Sequence, residues 1–136
     1  MLKHLFSFDD SRGEFKKLYS SSVDCFEVRQ VSWVKNSSKG TVRGFHAQEN
    51  PMITAPKRLI VLSGKIIDVL INVRRFRLGD PSWWFSVELT PSSVALDIPV
   101  GWLHGYQTLD PDTKVIEVKN GPFVSVEHDK VKHLWK

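Results

Sequence analysis

The amino-acid sequence predicts an all-β domain, and three observations support this prediction. In residues 66–73 every second side chain (Ile67, Val69, Ile71 and Val73) is apolar, so a strand there has one fully apolar face. Further short segments rich in Val, Ile, Thr and aromatic residues recur between turns that contain Gly or Pro. No stretch longer than a turn or two has the apolar period of a helix. Many short strands at this spacing indicate a sandwich or a barrel.

The individual strands follow from local composition. Residues 57–62 form an apolar run of strand length, and the turn Ser63-Gly64 separates them from the alternating segment 66–73. The other strands are predicted at 25–34, 41–47, 84–90, 93–98, 104–109 and 113–119. The sequence has no repeat, low-complexity segment or linker, and 136 residues suit one core. We therefore expect a single domain over residues 1–136.

Composition and charge limit the function classes. The longest clean apolar run, residues 59–62, is far shorter than the roughly 20 residues of a membrane helix, and residues 1–10 do not resemble a signal peptide. The single cysteine, Cys25, cannot form an internal disulfide and fits a reducing compartment. We therefore expect a cytoplasmic protein that does not bind membranes.

The net charge of +4 does not by itself indicate a nucleic-acid-binding protein. The basic residues are scattered, except for the cluster of residues 74–77 and the C-terminal tail, and no recognition motif accompanies them. A solvated basic surface explains most of them, and a basic pocket for a small anion explains the excess equally well. We expect no nucleic-acid partner.

Two of the five histidines lie in suggestive settings. His46 follows Arg43 and Gly44 in a strand-like segment, and His104 follows a tight Pro/Gly turn, with Lys57 between them in the sequence. Local pattern alone favours a structural role for such histidines. The sequence has no CxxC motif, no Gly-rich phosphate loop and no Gly-x-Ser-x-Gly nucleophile motif, so no other chemistry competes.

Taken in order, these motifs resemble the dTDP-4-dehydrorhamnose 3,5-epimerase family, a nucleotide-sugar branch of the cupins. The resemblance spans roughly residues 8–118. Its pieces are residues 10–15, Gln30, residues 42–48, Lys57, residues 63–69 and 72–74, Trp84, and residues 98–106. It implies a cupin-type jelly-roll barrel and a homodimer that binds a nucleoside-diphosphate sugar, most simply of the dTDP type.

The same resemblance implies roles for individual residues. His46 would be the base that removes a proton next to the C4 ketone of the sugar. Lys57 would bind the ketone oxygen and stabilise the enolate, while Arg43 and His104 would line the pocket. Arg12, Phe15 and Gln30 would bind substrate, Arg12 and Phe15 at the nucleotide or diphosphate and often across the dimer interface.

No cofactor is expected, and neither is a metal. A metal-binding cupin has two histidines one residue apart, together with a carboxylate and a distant third histidine. Here the partner position of His46 is Gln48, which is a poor metal ligand.

The sequence departs from the family pattern at two places. Glu117 stands where the family has a second acid–base residue, a tyrosine, and we include Glu117 among the candidate catalytic residues. The family also has a C-terminal segment with an aspartate that orients the base, and we expect this chain to lack it. Asp68 is the possible substitute, although a polar residue on a barrel strand fits it as well, and Tyr106 is a possible second phenol.

Three functions remain open at this stage. The leading one is epimerase-like proton transfer on a nucleoside-diphosphate 4-keto-6-deoxy sugar, at one carbon only. The first alternative is a 3,4-ketoisomerase of the same substrate class, although those enzymes have a His-x-His pair where this chain has His46 and Gln48. The second is a sugar-nucleotide-binding cupin without catalytic activity.

Overall fold

The structure, a computed structural model, describes residues 1–21, 24, 26–45 and 56–120. They form eleven strands and one short helix. The elements are β1 (Leu2–His4), β2 (Ser7–Asp10), β3 (Gly13–Lys16), β4 (Gln30–Asn36), β5 (Val42–Gly44), β6 (Lys57–Ser63), β7 (Ile66–Asn72), α1 (Val73–Arg77), β8 (Trp84–Leu89), β9 (Val94–Ile98), β10 (Trp102–Thr108) and β11 (Thr113–Lys119).

The strands form two antiparallel sheets that pack face to face. The larger sheet has the order β1-β9-β6-β11-β4, the smaller one has the order β5-β10-β7-β8, and β2 pairs with β3 in a separate hairpin. The prediction of an all-β fold is confirmed. Within the described ranges, however, the two sheets are not joined into one closed barrel.

The main core lies between the sheets and follows from the period-two alternation of their strands. Leu59 and Val61 from β6 meet Ile66 and Leu70 from β7, and Val115 of β11 lies in the same cluster. The sequence predicts an apolar face on β7, and that face (Ile67, Val69 and Ile71) lies on the outer side of the smaller sheet. The face of β7 that includes Asp68 is directed into the sandwich, which places a carboxyl group beside the core.

The outer face of the larger sheet is covered by the N-terminal segment. Ile60 and Val118 on this face pack with Leu5, and residues 18–28 supply Leu18, Tyr19, Phe26 and Val28. Arg58 anchors the segment, because its guanidinium donates to the carboxylates of Asp24 and Asp97 and to the carbonyl of Leu18. The strand that begins with Lys57 is therefore packed on both faces.

Several boundaries differ from the sequence-based expectation. The strand predicted at 25–34 begins only at Gln30, and the one predicted at 41–47 spans Val42–Gly44, with residues 46–47 outside the described ranges. Strands β1 to β3 and helix α1 are not predicted. The N-terminal strands are short and mostly exposed, so they have no apolar alternation, and five residues are too few to show a helical period. No helix in the described parts of the chain is long and apolar enough to span a membrane.

Candidate active site

A cavity of about 360 Å³ opens between the two sheets where β6 begins and β11 ends. Both sheets contribute side chains, because inward-facing positions of a β-sandwich share one interior. The lining residues are Ser32, Val34, Val42, Arg43, Gly44, Lys57, His104, Tyr106, Glu117 and Lys119. Four of the residues that the sequence suggests as functional, Arg43, Lys57, His104 and Glu117, therefore surround one space.

Lys57 and His104 meet across the sandwich. Lys57 is the first residue of β6, His104 lies on β10, and the distance from Lys57 Nζ to His104 Nε2 is 3.1 Å. Burial lowers the pKa of Lys57, while the nearby charge of Glu117 acts in the opposite direction. A buried ammonium that lines a cavity is suited to stabilise negative charge that develops on a substrate oxygen.

Asp68 lies behind His104 on the neighbouring strand β7. Its Oδ2 is 2.8 Å from His104 Nδ1, and its side chain is fully buried. Because a charged Lys57 can only donate, His104 Nε2 then accepts, and the proton on Nδ1 is donated to Asp68. The contact with Asp68 therefore orients the imidazole beside Lys57.

The environment of Asp68 is unusual for a carboxyl group. Burial raises its pKa, against the opposing effects of His104 and Lys57. Its second oxygen, Oδ1, is buried and has no hydrogen-bond partner among the described residues. A buried polar atom without a hydrogen-bond partner is costly in a fold.

Glu117 and Lys119 line the cavity from the larger sheet, on the inward face of β11 and next to Lys57 of β6. Lys119 Nζ lies 3.0 Å from Glu117 Oε2, and both side chains are mostly buried. Burial alone would raise the pKa of Glu117, but the charges of Lys57 and Lys119, with a hydrogen bond from Lys119, outweigh it and lower the pKa. Glu117 is therefore ionised at neutral pH.

A third group of contacts holds Arg43 at the cavity. Arg43 Nε donates to Asn36 Oδ1, and Asn36 Nδ2 donates to Tyr106 Oη over 3.3 Å. Burial raises the pKa of Tyr106, so its phenol remains protonated at neutral pH. Gly44 has a φ of 134° and lies against the backbone of Gly105, where a Cβ would overlap main-chain atoms. This close approach keeps β5, and with it Arg43, on the edge of the smaller sheet.

The remaining predicted site residues are Arg12, Phe15, Gln30 and His46. Arg12 and Phe15 lie on the exposed β2–β3 hairpin, and Arg12 pairs with Asp10 at 2.6 Å. Gln30 begins β4 and donates to Ser32 Oγ beside the cavity. His46, the predicted base, lies outside the described residues.

Sequence reasoning missed Lys119. It lies two residues after Glu117 and therefore on the same face of β11, so the period-two rule could have placed both at the cavity. Asp68, considered as the aspartate that orients the base, contacts His104, and its relation to His46 falls outside the described residues. Within the described ranges, no three His, Cys, Asp or Glu side chains converge in a way that could hold a metal ion.

Comparison with known proteins supports the family resemblance that the sequence motifs indicate. The sequence model of the family described as dTDP-4-dehydrorhamnose 3,5-epimerase matches residues 2–133. A protein of that name from Sinorhizobium fredii is 33% identical over 131 residues, which cover 90% of this chain and 65% of the relative. The chain thus spans slightly less than two thirds of the length of this relative.

Two solved structures illustrate the similarity of fold. The dTDP-4-dehydrorhamnose 3,5-epimerase of Bacillus anthracis, with TDP and pyrophosphate bound, superposes with a TM-score of 0.78 at 28% identity, covering 91% of this chain and 73% of that one. A TDP-quinovose 3,4-ketoisomerase from Campylobacter jejuni superposes with a TM-score of 0.76 at 17% identity, covering 93% and 88%, a likeness of fold alone. With a family match across nearly its whole length, the chain belongs to the dTDP-4-dehydrorhamnose 3,5-epimerase family.

Proposed function

We propose that the protein is a nucleotide-sugar epimerase that moves a proton at one carbon of a dTDP-linked 4-keto-6-deoxy sugar. The observation that carries this proposal is the contact of Lys57 with His104 at a cavity that the ionised Glu117 also lines. Family membership supplies the substrate class. The cavity supplies a cation, an oriented imidazole and a carboxylate within one space.

The chemistry begins with the C–H bond next to the C4 ketone. His46 takes the proton, the electron pair of the C–H bond passes into the C–C bond of an enolate, and the ketone oxygen gains the negative charge. Lys57 stabilises that oxygen, with His104 beside it as a second polar group. Return of a proton to the other face of the carbon completes the inversion.

The restriction to one carbon follows from Glu117. Inversion at two centres needs acid–base groups on suitable faces at each carbon, and in the family a tyrosine supplies one of them. The carboxylate of Glu117 is ionised beside Lys57 and Lys119, so it has no proton to donate at neutral pH. In this proposal solvent returns the proton, and it does so at one carbon only.

We also propose that the protein is a homodimer that uses the β2–β3 hairpin. Phe8 and Phe15 are more than half exposed there, and Phe6 packs edge-on against Phe15 at 6.5 Å between ring centroids. Apolar side chains of this size are normally covered. A dimer would place Arg12 and Phe15 near the partner's cavity, and a monomer in light scattering at micromolar concentration would contradict this.

The proposed function is tested by incubating the protein with a panel of dTDP-4-keto sugars in deuterated water and following the ring protons by NMR. We expect exchange at a carbon next to the ketone and an epimer as product. A 3-keto product would instead identify a 3,4-ketoisomerase. Saturable binding without exchange would identify a sugar-nucleotide-binding protein and contradict the proposal.

The base is tested separately with His46→Asn. Asparagine keeps the polarity and approximate size of the side chain but cannot accept the proton. We expect solvent exchange to be lost while the affinity for dTDP stays nearly unchanged. Unaltered exchange in this variant would show that another group is the base.

A further inference from the structure

The inner face of β11 carries an ion pair in which Lys119 has no role of its own in the catalytic scheme above. Thr113, Val115, Glu117 and Lys119 alternate along this face, and the last two line the cavity. Lys119 lies 3.0 Å from Glu117, with 13% of its side chain exposed. An exposed lysine pair would contribute little, but a pair withdrawn from water interacts strongly with its neighbours.

The charged and titratable groups around Glu117 come from five strands, while β4 contributes only Ser32 and Val34 to the cavity. They are Lys57 on β6, Lys119 on β11, His104 and Tyr106 on β10, Arg43 on β5, and Asp68 on β7 behind His104. Lys57 is shared, because it also contacts His104 and faces the space for substrate. Lys119 is the cation in direct contact with the carboxylate of Glu117.

We propose that Lys119 is a positioning residue that holds Glu117 in the cavity as a carboxylate and so withholds a proton donor from that side of the substrate. The proposal rests on the proposed function for its consequence, the single reacting carbon. Its electrostatic part concerns this chain alone.

The physical argument compares two environments for Glu117. With Lys119 present, Glu117 has one cation in hydrogen-bond contact and a second, Lys57, acting over a longer distance. Without Lys119, burial of the carboxylate is opposed mainly by Lys57, which the substrate ketone also engages. Burial disfavours the charged form of a carboxyl group, so Glu117 would then hold a proton at higher pH and could donate it.

The first experiment observes Glu117 directly. The full-length protein is labelled with ¹³C at glutamate carboxyl groups, the signal is assigned with Glu117→Gln, and the wild type and variants are titrated by NMR. We expect the midpoint of Glu117 to move to higher pH in Lys119→Met and in Lys119→Gln, and to stay near the wild-type value in Lys119→Arg.

Lys114→Met is the matched control, because Lys114 lies on the same strand but on its opposite face. It should leave the Glu117 midpoint unchanged. Urea unfolding of each variant shows whether it is folded, and Lys119→Gln retains a hydrogen-bond donor should Lys119→Met fail to fold. An unchanged midpoint in a folded Lys119→Gln would overturn the proposal.

The second experiment tests the consequence for the reaction. In deuterated water the wild type should label one ring carbon, and Lys119→Met should gain label at a second ring carbon as the pH falls toward its new Glu117 midpoint. Lys114→Met should behave as the wild type. A raised midpoint without any second label would overturn the proposed link to the single carbon. A wild type that exchanges no proton would contradict the proposed function, while the titration would still decide the role of Lys119.

Discussion

The buried guanidinium of Arg58 should be a principal determinant of stability. Its side chain is 1% exposed, and it contacts Asp24 at 2.7 Å and Asp97 at 2.7 Å. Arg58→Met keeps much of the aliphatic volume but removes the charge. Asp24, at 5% exposure, is then left as a buried carboxylate without its counter-ion, whereas Asp97, at 32%, can regain water.

The size of the effect follows from this asymmetry. Removing one partner of a buried ion pair costs about 3–5 kcal/mol, a large part of the 5–15 kcal/mol that stabilises a typical domain. The unfolding free energy of a small domain falls by about 2 kcal/mol per molar of urea, so the urea midpoint should decrease by roughly 2 M. Because the remaining charge causes much of the loss, adding Asp24→Asn to Arg58→Met should recover part of it.

Urea unfolding followed by circular dichroism measures both variants. Arg29→Met is the matched control, because Arg29 forms an exposed pair with Glu27 at 3.8 Å and should leave the midpoint unchanged. A decrease of the urea midpoint by less than about 0.5 M in Arg58→Met would refute the view that this ion cluster anchors the N-terminal segment. An absence of recovery in the double variant would refute it as well.

Three further outcomes follow from the structure. Lys57→Met should slow substrate proton exchange about a hundredfold or more while dTDP affinity, measured by calorimetry, stays within about twofold. Gly44→Ala should lower the thermal midpoint, because its Cβ would overlap the Gly105 backbone and its φ disfavours a side chain. Hydrogen bonds from Arg58 lower the pKa of Asp24. The stability that they contribute is therefore complete above about pH 4 and is lost as the pH falls through the folded-state pKa. The difference in unfolding free energy between wild type and Arg58→Met should shrink in acid.

The central strands can be predicted from the sequence because their buried positions are occupied by apolar residues. Strand β6 is packed on both faces and forms a continuous apolar run, β7 has one fully apolar face, and β11 is rich in Val and Ile. The exposed strand β2, Ser7–Asp10, has no such pattern. Closure into one barrel depends on which strands pair at the sheet edges, and composition does not record that.

Some residues of the candidate site can likewise be predicted from the sequence, whereas their contacts require the structure. Lys57 and His104 can be named from the motifs of the family, and the structure brings them within 3.1 Å. Lys119 by itself resembles any solvated strand lysine; its spacing from Glu117 indicates a shared face, and the structure adds their contact. Likewise, only the register of β7 against β10 places Asp68 behind the imidazole of His104.

The number of labelled carbons tests the central claim most directly. The wild-type protein is incubated with a dTDP-4-keto-6-deoxy sugar in deuterated water at neutral pH, and the product is analysed by NMR for label at C3 and C5. Because Glu117 is held as a carboxylate beside Lys57 and Lys119, we expect deuterium at one of these carbons and inversion only there. Label at both carbons with inversion at both would contradict the account.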